Sequence, residues 1–381
     1  MKNHDAILMI SDSERDANMY YVTGFFAPDP FIYLQLSGGG KIMVMSDLEI
    51  DRAKAESKAD RVLPATKYRK IAKDKGLENP LFKDILGEVI LELGVKSFLV
   101  PANFPIQYAD FLREKGYLVS FKPDPFIEER AIKTEEEVEN IRRALKHTEE
   151  AMSLAIDMIR DSKIKNGYLS WHGDILTSEM VKKAINVKLL ENGLLAQHTI
   201  VAGGDQCCDP HNQGTGPLRA NQTLIIDIFP KDMQSGYYAD LTRTVVKGHA
   251  TDEMKKMYGA VFEAQEVVFR MAGDGADCTG IHNEVQKSLE QSSFKTGEMN
   301  GRMQGFFHGT GHGVGLEIHE PPRMSITPSE AWGNKLKAGH VVTVEPGLYY
   351  LGKGGVRIED LIVVTENGCE NLTSFPKELE A

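Results

Sequence analysis

The sequence predicts two domains of unlike architecture, a small α/β domain over residues 1–125 and a larger α+β domain over residues 132–381. Three observations carry this. Short apolar runs alternate with helical patterns through the first part of the chain. The stretch KPDPFIEERAIK at 122–133, with two prolines and dense charge, then reads as a linker. Beyond it, long amphipathic helices are separated by apolar strands that contain acids. A chain of 381 residues exceeds one ordinary core and suits two.

In the first domain, residues 6–10, 31–36, 41–45 and 97–100 read as strands, with a charged helix near 47–58. Pro28, Pro30 and the glycines at 38–40 punctuate them as turns. The second domain opens on Thr134, an N-cap with Glu137 three residues on. Val138, Ile141, Leu145, Met152, Ala155 and Ile159 then recur at helical spacing. Two further packing helices follow. One spans 178–192 and ends at Gly193; the other spans 251–271, with Met254, Tyr258, Val261, Val268 and Met271 on its buried face.

Composition narrows the function classes. At 41% hydrophobic and 26% charged residues the chain is an average globular protein, with no sign of disorder. A formal charge of −11 argues against a partner with a phosphate backbone or an anionic lipid surface. Residues 1–16 lack a basic segment followed by an apolar run, and no stretch approaches the ~18 apolar residues of a membrane span. The expectation is a cytoplasmic protein that binds neither nucleic acid nor membrane. Four cysteines without a CxxC pair fit a reducing compartment, and the adjacent Cys207 and Cys208 are assigned no role.

The chemistry lies in the strands of the second domain. LIIDIFP…GYYADLTRTVV, residues 224–246, runs from an apolar strand with an embedded acid through a turn to a strand with a second acid. VVTVEPG…GGVRIEDLIVV, residues 341–364, repeats that plan. The acids stand thirteen residues apart in the first segment and fourteen in the second, so each segment reads as a hairpin carrying two carboxylates. Burying an unpaired carboxylate is costly, and four brought together face to face require cations. Strand alternation puts Ile225, Asp227 and Phe229 on one face. It puts Arg357 and Glu359 together on another, with Asp360 turned away, so Glu359 and not Asp360 is the candidate.

A nitrogen ligand is available between the hairpins. FFHGTGHGVGLEIHEP, residues 306–321, offers His308, His312 and His319. Their spacing is compatible with one helical face, but the interleaved glycines make a regular helix improbable and suit a backbone that approaches a ligand closely. Neither this segment nor SGGGK at 37–41 has the spacing of a nucleotide loop. Four carboxylates with one imidazole suit two divalent ions, Mn²⁺ first, with Co²⁺ or Zn²⁺ as alternatives. Two such ions balance four carboxylates and leave room for a bridging water deprotonated near neutral pH.

These residues resemble the pita-bread metallopeptidases, which comprise aminopeptidase P, prolidase, methionine aminopeptidase and the metal-free creatinase. The resemblance covers residue 132 to the C-terminus, and more weakly MYYVTGF at 19–25. Five motifs occur in the family's order: PHN at 210–212, the Asp227 strand, ADLTRT at 239–244, HGTGHGVGLEIHE at 308–320, and EPGLYY with GGVRIED at 345–360. The resemblance implies a creatinase/prolidase-like N-terminal domain and a pita-bread catalytic domain. It implies metal ligation by Asp227, Asp240, His312, Glu345 and Glu359. Asp240 and Glu359 would bridge the ions, and Glu345 would double as acid/base. His211 and His319 match positions near the scissile carbonyl, while His308, Arg357 and Tyr349 match positions of the substrate pocket.

The implied activity is cleavage of an N-terminal residue from a following proline, by a homodimer. A prolidase restricted to Xaa-Pro dipeptides is the alternative on the same fold. A non-catalytic pita-bread binding protein is the alternative of another class, but it would have lost metal ligands, and all five are present. Methionine aminopeptidase normally lacks the N-terminal domain, and creatinase lacks the ligands. The interval between Asp227 and Asp240 departs from the family, being about two residues longer through a turn at 230–235; an even insertion is expected to preserve the strand faces.

Overall fold

The computed structural model describes residues 4–327 and 333–381. The chain forms two compact units, Met1–Arg130 and Ala131–Ala381.

The first unit is built on a six-stranded mixed sheet. Its strand order is Arg61–Pro64, Lys41–Met45, Phe31–Leu36, Ala6–Ser11, Ser97–Pro101 and Leu118–Lys122. Strand alternation is used on both faces. Ile32, Leu34, Ile42 and Val44 pack under the helix Phe82–Leu93 through Ile85, Leu86 and Val89. Their neighbours Phe31, Tyr33, Met43 and Met45 pack on the other side with Met19, Val22 and Ala53. The charged helix expected near 47–58 is shorter, Ile50–Glu56. Four more helices flank the sheet at Ala17–Thr23, Ala65–Asp74, Phe82–Leu93 and Ile106–Glu114. The stretch expected to be a linker is ordered: Glu128–Ala131 is a 3₁₀ turn, and Arg130 and Lys133 are buried.

The second unit repeats one plan, two helices on an antiparallel sheet. In the first half, Thr134 caps Glu135–Arg160 through a capping box with Glu137. Thr177 caps the next helix, Ser178–Glu191. These accompany a three-stranded sheet ordered Ile200–Gly203, Thr223–Ile228, Leu241–Val246. In the second half, Asp252–Met271 and Cys278–Gln291 accompany a five-stranded sheet. Its order is Glu320–Met324, Gly311–Gly313, Val341–Val344, Asp360–Thr365, Gly368–Asn371. Ile281, Val285 and Leu289 join Val342, Val344, Ile358 and Ile362 in this half's core. Each such side chain contributes roughly 1.5–3 kcal/mol by leaving water.

Two details differ from expectation. The buried face of Asp252–Met271 is Met257, Ala260, Val261, Ala264, Gln265 and Val268, while Met271 is exposed. The two acid-bearing segments also meet edge to edge and not face to face. Thr242 forms an isolated antiparallel bridge with Glu359, and the Glu359 N–H donates to the Thr242 carbonyl at 3.1 Å. That seam joins the halves.

Candidate metal centre

The seam opens into a cavity of about 890 Å³. Asp227, Asp240, His312, Glu345 and Glu359 all line it, as do His211, His308, His319 and Arg357. Asp227 lies within its strand, registered against Ile200 on one side and Thr242 on the other. The other three acids sit at strand ends, Asp240 before Leu241–Val246, Glu345 after Val341–Val344 and Glu359 before Asp360–Thr365. A short hairpin, Gly347–Tyr350 with Gly354–Arg357, is nested between Glu345 and Glu359. Asp360 faces elsewhere and pairs with Arg243 at 2.9 Å and Lys377 at 2.7 Å.

His312 is placed on Gly311–Gly313, between the edge strand Glu320–Met324 and the central strand Val341–Val344 of the second sheet. A side chain at Gly311 would collide with the Thr343 carbonyl, so only glycine lets the histidine strand approach. The Thr343 hydroxyl accepts from the His312 N–H at 3.0 Å and donates to Glu345 Oε1 at 3.2 Å. His312 Nδ1 lies 3.1 Å from the Gly313 carbonyl, which can only accept, so Nδ1 carries a proton. Nε2 therefore faces Glu345 Oε1 at 3.2 Å and Asp240 Oδ2 at 3.8 Å. That nitrogen, turned toward two acids, is the one available to a metal ion.

The carboxylates crowd one another. Burial, then the charges of Glu359, Asp227 and Glu345, push Asp240 well above the ordinary carboxylate range. Burial, then Glu345 and Asp227, do the same to Glu359, although the Thr242 hydroxyl donates to its Oε2 at 2.6 Å. Asp227 is also raised, by burial first, against the opposing pull of Arg357. Glu345 goes the other way. Against its burial cost, hydrogen bonding and charge from His312, then His308 and Arg357, hold it at about 2.

This donor set fits divalent cations. One ligand atom each from Asp240, His312 and Glu359 lie within 4.8 Å of one another. Asp227 Oδ1 is buried without a hydrogen-bond partner among the described residues, although Oδ2 accepts from Arg357 at 2.6 Å. Three acids forced toward protonation and one orphaned oxygen are what a cation site looks like from its protein side. The four free cysteines take no part. Burial raises the thiol pKa of Cys207 and takes Cys208 up to about 12, and Cys207 donates to the Ala202 carbonyl at 3.2 Å.

Behind the cavity runs a hydrogen-bonded chain. Arg357 Nη1 donates to the Tyr349 hydroxyl at 3.0 Å, and that hydroxyl lies 2.9 Å from His308 Nε2. His308 Nδ1 faces the Gly309 carbonyl at 2.7 Å, so Nε2 accepts from Tyr349. Tyr349, expected in the substrate pocket, is 1% exposed and does not line the cavity. It stands behind the wall because the nested hairpin turns it inward, and burial lifts its phenol to about 12. Arg357 reaches the cavity but is 3% exposed and committed to Asp227 and Tyr349. His211 and His319 are open to the cavity; the His319 ring stands edge-on to His312, centroids 4.3 Å apart, and burial followed by His312 lowers it to about 4.

The longer turn after Asp227 is absorbed outside the paired strands. Lys231–Asp232 pairs with Leu194–Leu195, and Asp232 accepts from Arg143 at 2.6 Å and from the Ser235 hydroxyl at 3.0 Å. Strand parity is therefore not what keeps Asp240 on the cavity side. Sequence reasoning also missed Arg323, a second cation on the cavity wall four residues past His319. It missed Gln265 as well, whose signal was an amide on an otherwise apolar helical face.

A buried acid cluster closed by one imidazole, on paired antiparallel sheets, defines the class as a metal-dependent hydrolase. Residues 139–366 match metallopeptidase family M24, and residues 1–123 match the creatinase/prolidase N-terminal domain. The chain belongs to metallopeptidase family M24. It is 29% identical to a Xaa-Pro dipeptidase of Pyrococcus horikoshii, over 98% of this chain and 94% of that one. A Xaa-Pro dipeptidase of Pyrococcus furiosus is 30% identical over 96% and 93%. The crystal structure of an X-Pro aminopeptidase from Thermotoga maritima superposes with a TM-score of 0.79 at 25% identity, covering 99% of this chain and 98% of that one. The creatinase-type N-terminal domain and pita-bread fold expected from the sequence are thus what the chain has. No helix among the described residues is long and apolar enough to cross a membrane.

Proposed function

We propose that this chain hydrolyses the peptide bond between an N-terminal residue and proline, using two divalent ions, Mn²⁺ first. Asp227, Asp240, His312, Glu345 and Glu359 would hold them. The observation that carries this is the convergence of four carboxylates, three of them buried and raised toward protonation, on one imidazole in a single cavity. When bound, the ions would polarise the scissile carbonyl and lower the pKa of water.

The chain's own residues do the rest. Glu345, the acid with the lowest pKa of the four, stays ionised at neutral pH and moves the proton from the attacking water toward the proline nitrogen. His211 and His319 face the open cavity and steady the carbonyl oxygen as charge develops on it. Arg357 and Tyr349 act one step back. Arg357 neutralises Asp227, and Tyr349 donates to His308 Nε2, so that His308 meets the substrate as a neutral imidazole.

A cavity of about 890 Å³ leaves space for residues beyond proline, which supports an aminopeptidase. Arg323 on the wall favours the dipeptidase, since its guanidinium would meet a dipeptide's carboxylate. We further propose a cytoplasmic homodimer; the four free thiols support the compartment. The test compares Xaa-Pro dipeptides with Xaa-Pro-Xaa tripeptides on chelator-stripped protein refilled with Mn²⁺, Co²⁺ or Zn²⁺. Failure to cut either peptide with any metal sinks the proposal. The ratio of the two rates decides between the readings.

A further inference from the structure

Glu320 closes the histidine motif without a part in the chemistry above, and Lys133 sits in the stretch that the sequence presented as a linker. The fold brings them together. Lys133 Nζ lies 2.9 Å from Glu320 Oε2, with side chains 1% and 2% exposed. Lys133 is also fixed at its backbone, where its N–H donates to the Gly339 carbonyl at 2.8 Å.

Glu320 folds the preceding loop onto itself. Its Oε1 accepts from the Glu317 N–H at 3.1 Å. A Cβ at Gly315 would stand 2.5 Å from Oε2, so the loop closes over the carboxylate only with glycine there. The other end is tied too, since the Gly315 carbonyl accepts from the Tyr238 N–H at 2.8 Å. His319 lies inside this bracket. Its ring touches His312 edge-on, and among the described residues no hydrogen bond holds it. Its placement therefore rests on the loop backbone. A buried ion pair rarely stabilises a protein more than apolar residues of the same size, so geometric specificity is the better account of this one.

We propose that Lys133 and Glu320 are positioning residues for His319, their buried ion pair holding the loop at 315–320 so that the imidazole stays at the cavity. This rests on the proposed function only in giving His319 the substrate carbonyl to act on.

The experiment uses the full chain loaded with Mn²⁺ and an Xaa-Pro peptide. Breaking one partner leaves a buried charge, so the principal variant is Lys133→Met with Glu320→Gln, which removes both charges. Glu320→Asp alone is the second, in case the double variant does not fold, since it keeps both charges and withdraws the carboxylate from Lys133 and from the Glu317 N–H. The expected result is a kcat lower by about 10–100-fold with KM within about twofold, since a displacement on the ångström scale suffices for that loss. In a His319→Ala background the same changes cost no more than about twofold in kcat, because the residues act as one unit. Independently of turnover, in chelator-treated protein, where no paramagnetic Mn²⁺ broadens the signals, the His319 imidazole resonances of histidine-labelled protein shift in the variants while cooperative melting is retained. Equal losses with and without His319, or unmoved His319 resonances, overturn the proposal. If the wild-type protein cuts no Xaa-Pro peptide, the functional reading fails, and the resonances still decide the positioning.

Discussion

Replacing Gln265 by leucine isolates the contribution of one buried amide to the metal centre. Gln265 is wholly buried on the helix Asp252–Met271, and its Nε2 donates to the carbonyls of Val344 at 2.9 Å and Ile358 at 3.4 Å. Those carbonyls directly precede Glu345 and Glu359, so one side chain spans the backbone from which both acids project. Leucine keeps the approximate volume and removes the donor. The shorter bond dominates; leaving a buried carbonyl short of a donor costs about 1–3 kcal/mol. Part of that is offset, because Gln265 Oε1 is itself buried without a partner among the described residues and disappears in the variant. The net loss is about 1–2 kcal/mol, or roughly 2–4 °C per kcal/mol in melting temperature for a domain of this size. The larger effect falls on metal affinity, where loss of support behind a ligand typically costs about 10–100-fold. Competition with a chromophoric chelator measures the Mn²⁺ affinity, and calorimetry the metal-free stability. Lower stability with unchanged Mn²⁺ affinity would refute the reasoning, since Gln265 would then be ordinary core.

Asp240→Ala is expected to reduce the bound metal per chain, as read by atomic absorption after gel filtration; a content equal to wild type would remove Asp240 from the ligand set. Arg323→Met should raise KM for an Xaa-Pro dipeptide by about tenfold while changing a tripeptide amide little, since one charge-assisted hydrogen bond is worth about 1.5–3 kcal/mol. Equal effects on both substrates would exclude a carboxylate contact. His340 gives an acid-lability test away from the centre. Burial, then Lys133 and Lys337, lower it from 6.5 to about 4, and its Nδ1 accepts from the Lys337 N–H at 3.0 Å. A depressed folded pKa gives stability that is full above 6.5 and lost as pH falls toward 4. His340→Asn should flatten that loss in chelator-treated protein; an unchanged slope would assign the acid lability to other groups.

Local signals carried much of the fold. Thr134 marks its helix start because capping is a contact within four residues, whereas the caps Thr177 and Thr251 went unread. The four acids were conspicuous because each interrupts an apolar run, and the fold shows why they tolerate it: all four open onto one cavity. What escaped depends on partners distant in sequence. The helix Cys278–Gln291 shows only Ile281, Val285 and Leu289 as a thin stripe, and its Asp277 cap was unremarked. Gln265 gains its meaning only from the strand ends whose carbonyls it bridges. Lys133 and Glu320 are 187 residues apart, beyond any periodicity. The direction of Tyr349 was not legible either, because a motif carries none, and the nested hairpin sets it against Arg357, the partner of Asp227.

If Asp240 and Glu359 hold metal as proposed, the burial and mutual repulsion that raise their carboxyls well above the ordinary range set a divalent ion in competition with protons for the same oxygens. Loading would then release protons, and the apparent metal affinity would rise with pH. Such a centre would answer to pH as well as to metal supply, with proton activity helping to set the fraction of chains that carry their ions.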